Sequence, residues 1–103
     1  MKKILLVCAS GMSTSMLVKA IQKAAGDGNY PLKVTSAGMA GIEDRLGEVD
    51  GILVGPQIRH RFENLEEASA RAGIPARLVP TQVYGLMDGK AALDIIRDMT
   101  GDV

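Results

Sequence analysis

Four short apolar runs punctuate this chain, each closed within a few residues by glycine or proline and each followed by a stretch with helical spacing. Ile4 to Val7, Leu32 to Ala37, Ile52 to Val54 and Ala76 to Val79 read as strands, the first and third apolar enough to be buried on both faces. From Met16 the period lengthens. Leu17, Ile21, Ala24 and Ala25 recur on one helical face while Lys19, Gln22 and Lys23 fall on the other, with Ser13, Thr14 and Ser15 as N-cap candidates and Gly26 as the stop. Ile42 to Val49 is weakly helical. Phe62, Leu65, Ala68 and Ala72 mark a further helix ended by Gly73 and Pro75, and Asp88 introduces a last one that buries Ala92, Leu93, Ile96 and Met99. Strands alternating with helical segments imply parallel pairing through right-handed crossovers. The expected fold class is α/β: a small three-layer sandwich around a four-stranded parallel sheet of flavodoxin-like topology.

At 103 residues the chain has room for one domain, expected to span 1–103. A formal charge of zero leaves no electrostatic footprint for nucleic acid or an anionic membrane, and the absence of tryptophan disfavours a base-stacking platform. The longest apolar run, Ile4 to Ala9, is far short of the ~20 residues that span a bilayer, and Lys2-Lys3 lead into too short a core for a secretory signal. A cytoplasmic protein with no direct membrane insertion is expected. One cysteine and one histidine exclude an internal disulfide, a paired-thiol redox motif and most metal constellations, so neither metal nor cofactor is expected. Chemistry must rest on Cys8 or be absent.

Cys8 sits where β-structure gives way to a Gly/Ser-rich turn, in K-K-I-L-L-V-C-A-S-G-M-S-T-S. In an open parallel sheet that carboxyl edge is where ligands bind, and a tight loop feeding a helix directs backbone N–H groups and the positive helix end into one concavity. Ala9, Ser10, Gly11, Met12, Ser13, Thr14 and Ser15 are therefore the candidate phosphate-binding loop after the first strand, and the same field favours a nucleophilic thiolate at Cys8. A buried, inert core thiol in a non-catalytic flavodoxin-like binding module is the bland alternative. A cysteine-dependent low-molecular-weight phosphatase or arsenate reductase is the other. Such enzymes carry an arginine six positions after the cysteine, and here that position is Thr14. No Asp-Pro general acid appears, and the only Gly-Lys pair, Gly89-Lys90, lacks the upstream glycine of a nucleotide-binding loop.

C-A-S-G-M-S-T-S at Cys8 to Ser15, with G-P-Q-I-R at Gly55 to Arg59 and Y-G-L-M-D-G-K at Tyr84 to Lys90, resembles the IIB component of the lactose/cellobiose (chitobiose) class of the phosphoenolpyruvate-dependent sugar phosphotransferase system. The similarity covers essentially the whole chain. It implies a cytoplasmic phosphocarrier in which Cys8, as a phosphocysteine, accepts a phosphoryl group from a phosphohistidine on the IIA component. From there the group would pass to a sugar held by the membrane IIC permease, a β-disaccharide such as cellobiose, chitobiose or lactose. A monomer is expected.

The topology gathers the loops of the carboxyl edge around Cys8. Met12, Met39, Pro56, Gln57, Ile58, Leu86 and Met87 are the expected docking surface for the two partners, and Arg59 adds a charge at the rim. His60, between Arg59 and Arg61, is read as a solvated residue at a helix start, with a general base near the phosphate as the sharper alternative.

Overall fold

The computed structural model describes residues 1–9 and 11–102, except the side chains of 11–13. Strands β1 (Lys2–Val7), β2 (Leu32–Ala37), β3 (Gly51–Val54) and β4 (Ala76–Leu78) form one parallel sheet in the order β2-β1-β3-β4. Helices α1 (Gly11–Asp27), α2 (Phe62–Arg71), α3 (Thr81–Gly85) and α4 (Gly89–Met99) connect or follow them. Two 3-10 segments, Ile42–Glu48 and Pro56–Arg61, complete the chain order. Ile4 stands opposite Val34 of β2 and Gly51 of β3, which brings the carboxyl ends of the three longer strands level at Val7, Ala37 and Val54. The expected doubly covered α/β sandwich is what forms.

Alternation along β1 sorts the apolar residues into two cores. Ile4 and Leu6 face Leu17, Ile21 and Ala25 of α1 and Ala92, Leu93, Ile96 and Met99 of α4. Leu5 and Val7 face Ile42 and Leu46 of the first 3-10 segment, Ile58 of the second, and Leu65 and Ala68 of α2. Ala72, expected on the buried face of α2, lies beyond the helix and is exposed. Ser69 takes the buried place instead, and its hydroxyl is satisfied by donating to the Leu65 carbonyl at 2.8 Å.

Helix ends depart from the sequence reading in one informative way. Gly26 does not stop α1, which runs on to Asp27. Termination comes at Asn29, in the left-handed region at φ 54°, whose N–H bonds to the Gly26 carbonyl while that of Tyr30 reaches back to Ala25. This paired arrangement satisfies the last carbonyls. The same closure recurs at Gly73, at Gly101 and at Met87, where φ is 49° on a bulky side chain. Such backbone costs about 1 kcal/mol.

Two polar contacts fix the flanks. Gln22, assigned by its period to the outward face of α1, turns to β2: its Nε2 donates to the Leu32 carbonyl at 2.9 Å and its Oε1 accepts from the Val34 N–H at 2.6 Å. At the opposite end of the sheet from Cys8, Tyr30 donates its hydroxyl to Asp102 at 2.7 Å, with the Arg97 guanidinium 5.1 Å above its ring. Burial first, and then the hydrogen bond to Asp102, push the Tyr30 hydroxyl above its ordinary pKa. Folding therefore favours the protonated phenol, and that contribution is complete below the unfolded pKa near ~10 and lost as pH climbs past it. Tyr30→Phe should cost about 1 kcal/mol at neutral pH. In urea unfolding the gap between variant and parent should close as pH rises above ~10. A gap independent of pH would mean the hydroxyl is not its source.

Candidate functional site

β1 delivers Cys8 to the carboxyl edge, and the ladder continues just far enough to hold it there. The Cys8 N–H donates to the Ala37 carbonyl at 3.0 Å, and the Gly55 N–H donates to the Val7 carbonyl at 2.8 Å. Cys8 thus lies between the ends of β2 and β3, with only Ala9 and Ser10 before α1 opens at Gly11. The first N–H groups of α1 have no acceptor within the helix, so this end is electropositive and rich in donors beside the thiol.

The thiol itself is only 3% exposed. Its Sγ donates to Gln57 Oε1 at 3.3 Å and lies 3.9 Å from the Tyr84 hydroxyl, where either atom can be the donor. Gln57 arrives through the 3-10 turn that Pro56 starts, and Tyr84 from the short α3 beyond β4. Gly55 makes the arrangement possible: a Cβ there would stand 2.8 Å from Gln57 Oε1 and 3.0 Å from Sγ. Both partners of the sulfur are uncharged. Among the described residues no carboxylate, imidazole or guanidinium is bonded to it. Nor, among those residues, do three His, Cys, Asp or Glu side chains gather as a metal site would need.

The candidate loop is shorter than its sequence suggests. Ser13, Thr14 and Ser15, expected as caps, are already helical, and Thr14 is fully buried while Ser15 is exposed. Ala9 is exposed beside Cys8. Ser10 and the side chains of Met12 and Ser13 lie outside the described residues, as does the docking role given to Met12.

Two expected docking residues are corrected. Ile58 is 4% exposed and packs with Val7, Val54 and Leu65, and Pro56 is buried as well. The reason is the tight turn, which breaks from helical geometry at Ile58 (φ −118°, ψ 28°) and tucks that side chain under rather than over the sheet. Met39 and Met87 are half-buried against the two cores. Gln57, Arg59 and His60 are exposed, and Leu86 presents 77% of its surface to solvent. Sequence reasoning missed Met16, 61% exposed on the first turns of α1, and it missed Tyr84 as a neighbour of the sulfur. The signals for Tyr84 were a phenol near the carboxyl edge and its place at the head of the Y-G-L-M-D-G-K motif.

A cavity of about 220 Å³ is lined by Gln57 and Tyr84, the two side chains that touch the sulfur, together with Arg59 and Thr81 among others, though not by Cys8 itself. The larger one, about 520 Å³, lies against Ile42, Leu65 and Arg71 on the α2 side, and Cys8 does not line it. Size does not select the site here, because the side chains that touch the sulfur line the smaller cavity.

The family described as "PTS system, Lactose/Cellobiose specific IIB subunit" matches residues 3–95. The chain belongs to that family. It is 35% identical over 97 residues to the PTS system cellobiose-specific EIIB component of Lactococcus lactis, covering 89% of this chain and 90% of that one. It is also 31% identical over 98 residues to the lactose-specific EIICB component of Staphylococcus aureus, covering 91% of this chain and 17% of that longer protein. Among solved structures, the cellobiose-specific IIB component of Borrelia burgdorferi superposes with a TM-score of 0.81 at 34% identity, covering 98% of this chain and 93% of that one. As a IIB component, this protein is a phosphotransferase of the sugar phosphotransferase system. No helix among the described residues is long and apolar enough to cross a membrane.

Proposed function

We propose that Cys8 is the phosphoryl carrier of this IIB component, taking its group from a phosphohistidine on a IIA protein and giving it to a sugar bound by a IIC permease. The observation that carries this is the place of the single cysteine, between the carboxyl end of β1 and the start of α1, with only neutral side chains on its sulfur among the described residues. In the first transfer the P–N bond breaks, an S–P bond forms, and the thiol proton ends on the released imidazole nitrogen. In the second, the S–P bond breaks, a sugar oxygen takes the phosphorus, and the proton of that hydroxyl returns to sulfur. A helix terminus without an arginine suits a carrier, because it stabilises the dianion without gripping it.

The relative from Staphylococcus aureus bears the name of a B and a C component together, which supports a IIC partner. The sugar is a β-disaccharide of the cellobiose, chitobiose or lactose kind, and the carrier works in the cytoplasm as a monomer. Incubation with phosphoenolpyruvate, the general phosphotransfer proteins and a candidate IIA should place one phosphoryl group on Cys8. Turnover of aryl phosphates should be negligible, since among the described residues no carboxyl or imidazole is bonded to the sulfur to act as general acid. Label on another residue, or robust hydrolysis, would overturn the assignment.

A further inference from the structure

One flank of the sulfur is covered by Gln57 Oε1 at 3.3 Å and the Tyr84 hydroxyl at 3.9 Å. We propose that Gln57 and Tyr84 form the second wall of the phosphoryl site: Gln57 holds the thiol through its carbonyl oxygen, then turns its amide N–H to a phosphoryl oxygen, with Tyr84 as a second neutral donor. The inference rests on Cys8 being the phosphorylated residue.

A primary amide is suited to this exchange because it carries an acceptor and two donors on one rotatable end. Before transfer the sulfur carries a proton, and Oε1 accepts it as a hydrogen bond. After transfer that proton has left with the imidazole, and the sulfur bears three acceptor oxygens. Rotation about the terminal torsion of Gln57 then replaces the carbonyl by Nε2, and the broad profile of that torsion makes the turn easy. A phenol hydroxyl likewise serves as acceptor or donor. Gln57 and Tyr84 also line the cavity of about 220 Å³, which has room for several water molecules of ~30 Å³ each and so lets their polar ends turn. Gly55 leaves room at the sulfur, since any side chain there would press on Gln57 Oε1 and Sγ together. Gln57 is thereby reassigned from the docking rim to the site itself, as a positioning residue toward the thiol and a donor toward the phosphoryl group.

Gln57→Glu and Tyr84→Phe test this in the full chain, equilibrated with a phosphorylated IIA protein while phosphocysteine is followed by ³¹P resonance. Glutamate keeps the shape and the acceptor but, ionised, cannot donate. The equilibrium should move about tenfold or more toward phospho-IIA in Gln57→Glu and severalfold in Tyr84→Phe, with a displaced ³¹P shift in both. Lowering pH from ~8 to ~5 should narrow the Gln57→Glu deficit, because a protonated carboxyl near its pKa of ~4.3 regains a donor. A purely structural role would not produce that pH dependence. Gln57 is exposed, so its variant should fold, and the rate of Cys8 alkylation checks that the thiol is in place. If the parent is phosphorylated on Cys8 while both variants equilibrate like it with unchanged ³¹P shifts, the second wall is refuted and the carrier assignment stands. If the parent takes no phosphoryl group on Cys8, both fall.

Discussion

Cys8→Ser should abolish phosphorylation by phospho-IIA, a loss of at least ~10³-fold. The argument lies in what surrounds the atom rather than in the thiol alone. Only Gln57 and Tyr84 are bonded to the sulfur among the described residues, and an amide does not take up a proton at neutral pH. A serine hydroxyl there would have neither a low enough pKa of its own nor a base to deprotonate it. The fold should survive, because oxygen is smaller than sulfur and Gln57 Oε1 remains within reach as an acceptor for a buried hydroxyl. Quantitative labelling, with thermal unfolding as the control, checks both halves. A normally labelled Cys8→Ser protein would move the phosphoryl site to another residue.

The largest stability loss is expected at Gly89, at the start of α4. Asp88 caps this helix by accepting from the Ala91 N–H at 3.0 Å, and the cap seats Gly89 against the backbone of α1. A Cβ on Gly89 would collide with the Ala20 carbonyl and stand 2.9 Å from the Ile21 nitrogen. These are main-chain atoms, so no rotamer relieves the clash and the two helices must separate. Gly89→Ala should cost about 2–4 kcal/mol, a large part of the roughly 5–15 kcal/mol that holds such a domain together. The melting temperature should fall by roughly 10–20 °C. Gly26→Ala is the opposite case: the residue is helical and exposed, with nothing within 4 Å of the added carbon. It should gain about 0.5–1 kcal/mol. Equal effects from the two substitutions would refute the close approach of α4 to α1.

β1 and β3 were legible because a run buried on both faces needs no partner to be recognised, while β2 and β4, which are partly exposed, were marked by the glycine or proline that bounds each. The start of α1 was not. Ser13, Thr14 and Ser15 have strong cap preferences, but the chain leaves β1 too close to the helix for those residues to lie outside it. Ile58 was misplaced for a related reason, since Pro56 starts a turn of period near three that no apolar spacing announces. The contacts of Cys8 depend on strand order. Gln57 lies 49 positions away and Tyr84 76, and only the placing of β3 beside β1 and of β4 beyond it brings either to the sulfur.

The amide of Gln22 has a consequence for how partners can approach. On β2 the carbonyls of Pro31 and Ala37 accept from β1, so Leu32 and Val34 turn their main-chain groups to the outer edge. A strand arriving from another molecule would seek those groups, and Gln22 already occupies the Leu32 carbonyl and the Val34 N–H. The side chain acts as a one-residue imitation of a fifth strand. At the other border β4 has three residues, too few to template an addition of any length. Strand addition is thereby discouraged at both margins, which leaves side-chain contact at the loop end as the open mode of recognition for the carrier role proposed here.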